Sequence, residues 1–181
     1  LAKLLKNSSY RKNNYLFIAF SGEELGLYGS KWFVEHPRLD SAKIDYMFNF
    51  DMVGRVDSNK FVISGIGTSP FWSEAMKQIQ TPLRIKTTES GVGPSDHTSF
   101  YLKNIPVLHF FSGQHKDYHK PSDDESKINY KGMEDVIDYV MKLIEALDSK
   151  GKIGFTKTKD ENNEDAPKFT VTLGVMPDYT Y

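Results

Sequence analysis

Two adjacent carboxylates, Glu23 and Glu24, are the first residues of this sequence whose types and spacing suit chemistry. They stand in the stretch FSGEELGLYGSKWF, directly after an apolar segment and among three glycines. Asp51 follows a second apolar segment, and His119 lies in a loop after a third. Carboxylate and imidazole ligands of this kind suit a zinc site with an open position. A remaining carboxylate beside such a site can take a proton from metal-bound water, whose pKa zinc lowers to about 7.

Glu23 and Glu24 cannot share one task, because the side chains of adjacent residues point in different directions. The simplest interpretation is therefore that one of them is a general base and the other is a metal ligand. Each acidic residue also has an ordinary structural explanation. The helix dipole favours an acidic pair at a helix start, and an Asp such as Asp51 before MVGR is a common turn former.

Three histidines compete for the place of the imidazole ligand. His109 lies inside an apolar segment, and we expect it to be a packed core residue. His115 and His119 both lie in the polar loop that follows, where a surface histidine without a ligand role is the alternative interpretation. Sequence spacing alone does not choose between them.

The elements that must position these residues alternate between strand and helix patterns. The run YLFIAF, residues 15–20, is continuously apolar and predicts a strand buried on both faces of a parallel sheet. Further strands are predicted at 44–50, 60–65 and 105–111. Helices are predicted at LAKLLK, over 25–33 with Pro37 closing the element, at 70–80, and at 133–147, where apolar residues step by three and four.

This alternation predicts an α/β fold with three αβα layers and a mainly parallel central sheet. Such sheets place their sites beyond the carboxyl ends of strands, where Glu23, Glu24, Asp51 and His119 all fall. Residues 150–168 are polar and charged, which is typical of a linker. We therefore expect a main domain at 1–149, a linker at 150–168 and the start of another unit at 169–181.

The composition excludes several classes of function. The 181 residues are 39% hydrophobic, which is enough to bury a core. With 23 basic and 24 acidic residues, the chain lacks the basic excess that nucleic-acid binding needs. It has no cysteine, which excludes disulfides, thiolate zinc sites and a cysteine nucleophile. No apolar run reaches the ~18–20 residues of a membrane span, and no signal peptide is visible.

Four ordered motifs carry a resemblance to a known family: FIAFSGEELGLYGSKWF, NFDMVG, GPSDHTSFYLKNIPVLHFF and DYHKPSDD. On these motifs the chain resembles the co-catalytic dizinc exopeptidases of clan MH. That family includes secreted bacterial aminopeptidases, glutamate carboxypeptidase II, the glutaminyl cyclases and the non-catalytic transferrin receptor. The resemblance covers about residues 1–149 and implies the zinc exopeptidase, phosphorylase/hydrolase-like fold. The segment after the linker looks like the start of the PDZ-like module that some bacterial members carry.

The resemblance assigns roles residue by residue. Glu23 matches the general base, and Glu24 matches a ligand of one zinc. His119, the histidine of YHKPSDD, matches the second protein ligand of that zinc, and Asp51 matches a ligand of the other. The segment PSDHTSF, with Asp96 and His97, matches one that lines the substrate site. The alternative for this segment is a helix N-terminus with Ser95 as its cap.

One departure from the family pattern limits what these residues can do alone. Members carry an upstream His-x-Asp motif and a metal-bridging Asp, and this sequence has neither. His36 follows the glutamate pair and does not match the upstream ligand. We therefore expect a fragment, truncated at both ends, with one zinc or none where a complete domain holds two, and with little activity of its own.

The function that the resemblance implies is a metal-dependent aminopeptidase that hydrolyses N-terminal amino acids from peptides. The alternatives are a glutaminyl cyclase, which is a single-zinc acyltransferase, and a non-catalytic binding domain of the same fold. The implied cofactor is zinc, although carboxylate and imidazole ligands also suit manganese or cobalt. The implied location is secreted, periplasmic or at the bacterial cell surface. Peptides are the implied substrates.

Overall fold

A computed structural model gives the fold and describes residues 1–10, 12–36 and 43–159. The helices are α1 (Ala2–Asn7), α2 (Tyr28–Glu35), α3 (Pro70–Lys77), α4 (His97–Tyr101) and α5 (Tyr130–Asp148). The strands are β1 (Met47–Asp51), β2 (Lys60–Ser64), β3 (Arg84–Thr88) and β4 (Val107–Phe111). Short 3-10 turns occupy Val53–Arg55, Ile66–Thr68 and Glu125–Lys127.

The four strands form one mixed sheet in the order β1-β4-β2-β3. The pairs β1–β4 and β2–β3 are parallel, whereas β2 and β4 are antiparallel. Asp51 at the end of β1 is in register with Phe111 at the end of β4. The carboxyl ends of these two strands therefore lie at the same edge, which confirms the predicted mainly parallel α/β sheet.

The alternating side chains of β4 separate two helical layers. Leu108 and Phe110 are fully buried in the cluster that includes residues of α3 and α5. Val107 faces the other way, into the cluster of Phe100 and Tyr101 from α4. Because successive side chains of a strand point to opposite faces, the sheet lies between helices. This arrangement confirms the predicted three-layer architecture.

Helix α5 is the longest element and closes one side of the core. The Asn129 side chain accepts a 2.9 Å hydrogen bond from the Gly132 N–H and caps the helix start. One face of the helix is buried, and its members follow the spacing of three and four that the sequence predicts: Val136, Tyr139, Val140, Leu143, Ile144 and Leu147. The prediction of this helix is therefore confirmed.

The predicted buried strand at residues 15–20 is wrong for this structure. Within the described residues, the segment joins no strand ladder, and Leu16 and Phe17 are 60% and 55% exposed. An apolar run shows only that a segment can be buried, whereas a strand needs a neighbour to pair its backbone groups. The two ends of the run pack inward: Tyr15 lies against the main core cluster, and the ring of Phe20 lies 5.8 Å from Phe33 and 5.9 Å from Phe100.

The start of the predicted linker packs on the domain. Ile153 is buried, and its N–H donates to Asp45 Oδ1 at 2.7 Å. The N–H of Thr156 donates to the carbonyl oxygen of Thr68 at 2.8 Å. Pro37 and residues 160–181, which include the rest of the predicted linker and the predicted appended unit, lie outside the described residues.

Candidate metal centre

A tight turn presents the glutamate pair at the edge of the fold. The N–H groups of Gly26 and Leu27 both donate to the carbonyl oxygen of Glu23, at 3.0 and 2.9 Å. Gly29 fits where no other residue would, because a Cβ there would lie 2.5 Å from the carbonyl oxygen of Ser21. Helix α2 begins only at Tyr28, so the acidic pair precedes the helix and is not part of its first turn.

Glu24 and His119 meet although 95 positions separate them in the chain. His119 Nε2 lies 2.7 Å from Glu24 Oε1, and both side chains are about half exposed. His119 has a φ of 54°, a left-handed conformation that is uncommon for a residue with a side chain. The competing histidine, His115, instead lies 3.6 Å from Asp123. The geometry thus brings together the two residues predicted to bind one zinc.

Glu23 and Asp51 lie close enough to the same point to interact electrostatically. Burial is the largest cause that raises the pKa of Glu23, and the charges of Glu24, Asp51 and Asp96 raise it further. Burial likewise raises the pKa of Asp51, with added repulsion from Glu24 and Asp96. The His119 ring acts on Asp51 in the opposite direction. All four predicted catalytic or ligand residues therefore share one electrostatic environment.

A buried polar chain that sequence reasoning missed lies behind these carboxylates. Asn49, inside β1, donates from Nδ2 to Ser95 Oγ at 2.9 Å, and the same Nδ2 lies 2.9 Å from His109 Nδ1. Because the Ser95 oxygen accepts from Asn49, its hydroxyl hydrogen is available for a carboxylate. The Ser95 hydroxyl, which can donate to one carboxylate at a time, lowers the pKa of both Glu23 and Asp51. The only feature of the sequence that could indicate a role for Asn49 is its position two residues before Asp51, on the same face of β1.

Asp96 and His97 are adjacent in the sequence but face different surroundings. Asp96 is buried near the carboxylates, and its Oδ1 has no hydrogen-bond partner among the described residues. His97 is fully buried at the start of α4, and its ring stacks on His109 with centroids 4.3 Å apart. The alternative role for Ser95 is not observed, because Asp96 occupies the cap position of α4 and no side chain caps the helix. His109 is the packed core residue that the sequence predicts.

The residues at this site fit a metal in their chemistry, although their number is limited. A carboxylate and an imidazole in contact, with a second carboxylate beside them, are the donor types that zinc accepts. No group of three or more His, Asp and Glu side chains in metal-holding geometry occurs in residues 1–10, 12–36 and 43–159. The described part of the chain therefore offers a ligand pair, Glu24 and His119, with Asp51 nearby.

Comparisons with known proteins agree with the motifs and with the fold. Leupeptin-inactivating enzyme 1 of Streptomyces exfoliatus is 36% identical over 111 residues, which make up 60% of this chain and 24% of that protein. Aminopeptidase YwaD of Bacillus subtilis is 29% identical over 147 residues, which make up 78% of this chain and 31% of that protein. The chain thus spans about a quarter to a third of these relatives' length.

Solved structures match over most of the described fold. The LapA aminopeptidase of Legionella pneumophila aligns with a TM-score of 0.60 at 24% identity, over 74% of this chain and 38% of that one. This likeness supports the fold alone. The zinc aminopeptidase BSAP of Bacillus subtilis aligns with a TM-score of 0.57 at 27% identity, over 70% of this chain and 34% of that one.

The family assignment extends over the whole candidate site. Among the described residues, no helix combines the length and the apolar character that crossing a membrane requires. The sequence pattern of Peptidase family M28 matches residues 1–144, a range that contains Glu23, Glu24, Asp51 and His119. The resemblance that the four motifs indicate is thereby confirmed, and the chain belongs to Peptidase family M28.

Proposed function

We propose that this chain is part of a metal-dependent aminopeptidase that hydrolyses N-terminal amino acids from peptides. The observation that carries the proposal is the 2.7 Å contact between Glu24 and His119, two ligand-type side chains from distant parts of the sequence. Glu23 and Asp51 adjoin this pair. Membership of the family and the likeness to a zinc aminopeptidase support zinc as the cofactor.

In this proposal each acidic residue has a separate role. Glu24 and His119 hold one zinc, and Asp51 contributes to a second. Zinc, when bound, polarises the peptide carbonyl and acidifies the attacking water. Glu23 takes the proton of that water at its carboxylate and passes it to the leaving amine. Its raised pKa suits this exchange, because a carboxylate that is less acidic both accepts and releases a proton nearer neutral pH.

Asp96 is the residue that we propose to contact the peptide. Its unpartnered Oδ1 is a buried acceptor next to Glu23 and Asp51, and the ammonium group at a peptide N-terminus is a matching donor. His97 stands behind it in the core, where its fully buried ring has no access to solvent. We therefore propose that the segment lines the substrate site through Asp96.

The number of metals depends on residues beyond those described. We propose that these 181 residues alone bind at most one zinc, weakly, and turn over little substrate, because the described residues supply a pair of ligands and one further carboxylate. A two-metal site needs more ligands than these. We also propose that the natural protein acts outside the cytoplasm, as the resemblance to secreted bacterial members implies.

The test is the replacement of Glu23 by Gln in the natural protein that carries this chain. Release of p-nitroaniline from a panel of aminoacyl anilides is measured with and without a chelator, together with bound zinc. We expect chelator-sensitive release in the parent. Glu23→Gln should lower kcat by about 10²–10⁴-fold, because it removes the proton acceptor, while zinc stays bound.

Glu134→Gln is the matched control, since it makes the same change on an exposed part of α5. The control should retain the parental rate. An unchanged kcat in Glu23→Gln would remove the general-base role. Formation of pyroglutamate from N-terminal Gln without anilide hydrolysis would replace the aminopeptidase by a cyclase.

A further inference from the structure

The loop that carries His119 needs an external support. It runs from Ser112 to Asn129, between β4 and α5, and its only regular element is the 3-10 turn Glu125–Lys127. The positive φ of His119 is a strained conformation for a residue with a side chain, and it persists only where surrounding contacts determine it. A half-exposed ligand on such a loop does not fix its own position.

The support comes from the turn that follows Asp51, residues 52–56. Ser112 Oγ donates to the carbonyl oxygen of Met52 at the start of the loop. At the end of the loop, the N–H of Asn129 donates to the carbonyl oxygen of Gly54 at 2.8 Å. The Asn129 side chain also donates to the carbonyl oxygen of Val56 at 2.8 Å. The loop is therefore tied at both ends to one turn.

Asp117 ties the middle of the loop, two positions before His119. It is only 5% exposed, and its two oxygens accept from three side chains. Arg55 Nη2 donates to Oδ2 at 2.9 Å, while Lys127 Nζ and Ser122 Oγ donate to Oδ1 at 2.7 and 2.8 Å. Asp117 is therefore a buried carboxylate whose two oxygens both accept hydrogen bonds, two of them from charged donors.

Arg55 joins the two sides of the site. It lies four positions after Asp51, and its guanidinium also donates from Nη1 to Asp123 of the same loop. One planar side chain thus holds two carboxylates on either side of His119 in the sequence. A lysine ammonium at this position is a single point charge and does not reproduce the fork.

We propose that Arg55 and Asp117 are positioning residues that fix His119 relative to Asp51 and Glu24. They act through the loop, with no contact of their own to metal or substrate. The inference rests on the proposed metal site and deepens it, because it names the parts of the chain that set the spacing between the two ligand groups.

The test compares Arg55→Met, Arg55→Lys and the parent in the natural protein that carries this chain. Zinc affinity is measured by calorimetry, with Glu24→Gln marking the binding that belongs to this site. Lys150→Met, which breaks an exposed ion pair with Glu74, is the matched control. We expect Arg55→Met to weaken zinc binding about 10–100-fold, Arg55→Lys to be intermediate, and Lys150→Met to match the parent.

A second measurement, made on the metal-free protein, is hydrogen exchange of the loop amides. The N–H groups of Tyr118, Lys120 and Asp123 close turns within the loop, at 2.9, 2.9 and 3.0 Å. In Arg55→Met these amides should exchange faster while those of α5 do not. A purely global loss of stability would speed exchange in both places and would overturn the positioning role.

The results separate this inference from the proposed function. Zinc binding that weakens in Glu24→Gln and is unchanged in Arg55→Met would overturn the inference alone. Zinc binding that is unchanged in Glu24→Gln would overturn the metal site and, with it, the positioning role.

Discussion

Replacing His109 by Gln should make the stability of this chain less sensitive to acid. His109 is buried in β4, and its Nδ1 lies 2.9 Å from the Asn49 amide nitrogen, which donates to it. Burial lowers the pKa of His109 from 6.5 to about 4. Burial, followed by the charge of His109, lowers the pKa of His97 well below its usual value. Both rings are therefore neutral in the folded protein at pH 7.

The sign of the pH effect follows from where protons bind. Between pH 6.5 and 4 the unfolded chain protonates His97 and His109 while the folded chain keeps both rings neutral, so stability falls as the pH falls. The difference between 6.5 and about 4 corresponds to about 3 kcal/mol for His109, and His97 adds to the loss in the same direction. Above pH 6.5 these two rings are mostly neutral in both states, so they cause no loss of stability there.

The assay is urea unfolding of the parent and of His109→Gln at a series of pH values from 7 to 4, followed by circular dichroism. The variant loses packing, so its free energy of unfolding is lower at pH 7, but its decline toward pH 4 should be about 3 kcal/mol smaller. Phe111→Leu is the control, since Phe111 stacks on His109 and carries no titratable group. It should shift the curve without changing its slope. Parallel curves for the parent and His109→Gln would refute the reasoning.

Two further predictions concern hydroxyl groups. Ser95→Ala should move the acid limb of the pH profile of kcat/KM to higher pH. The Ser95 hydroxyl lowers the pKa of Glu23, so its removal should raise that pKa. An acid limb that stays at the same pH would show that Ser95 does not interact with Glu23. Thr68→Val should lower the free energy of unfolding by about 2–4 kcal/mol, since it leaves the indole N–H of Trp72 and the N–H of Val107 without an acceptor. Urea unfolding measures this loss, and equal stability would refute it.

The sequence predicts the elements whose signal is local. Helix α5 is predicted because its buried residues form one apolar stripe along the helix. Strand β4 is predicted because every side chain except that of Phe111 is buried, which makes the segment a continuous apolar run. The strand at 15–20 is not found in the described structure, because pairing depends on a neighbour that composition does not reveal. Strand β3 is missed for the opposite reason, since RIKTT is mostly exposed and lacks an apolar run.

The site divides in the same way. Glu23, Glu24, Asp51 and His119 are named by motifs, and the structure brings them to one place. The side chains that support them are invisible in the sequence, because Arg55 and Asp117 lie 62 positions apart and Asn49 and Ser95 lie 46 apart. The first pair follows from the packing of β1 against β4 and its loop, and the second from the packing of α4 against β1. Only the fold itself specifies them.

Two acidic clusters at this edge of the sheet differ in how their charge is balanced. Asp117 accepts from Lys127, Ser122 and Arg55, and these hydrogen bonds hold its pKa well below the usual range. Its charged form is therefore stabilised by the protein's own cations.

Glu23 and Asp51 show the opposite behaviour. Burial and neighbouring carboxylates raise the pKa of both residues, while the Ser95 hydroxyl lowers the pKa of both and the His119 ring acts on Asp51 in the same lowering direction. Carboxylates gathered in this way repel one another, so a divalent cation would relieve the repulsion. Because the protein neutralises Asp117 with its own side chains, the unbalanced charge around Glu23 is a specific property of this site. That property is what the proposed metal centre requires.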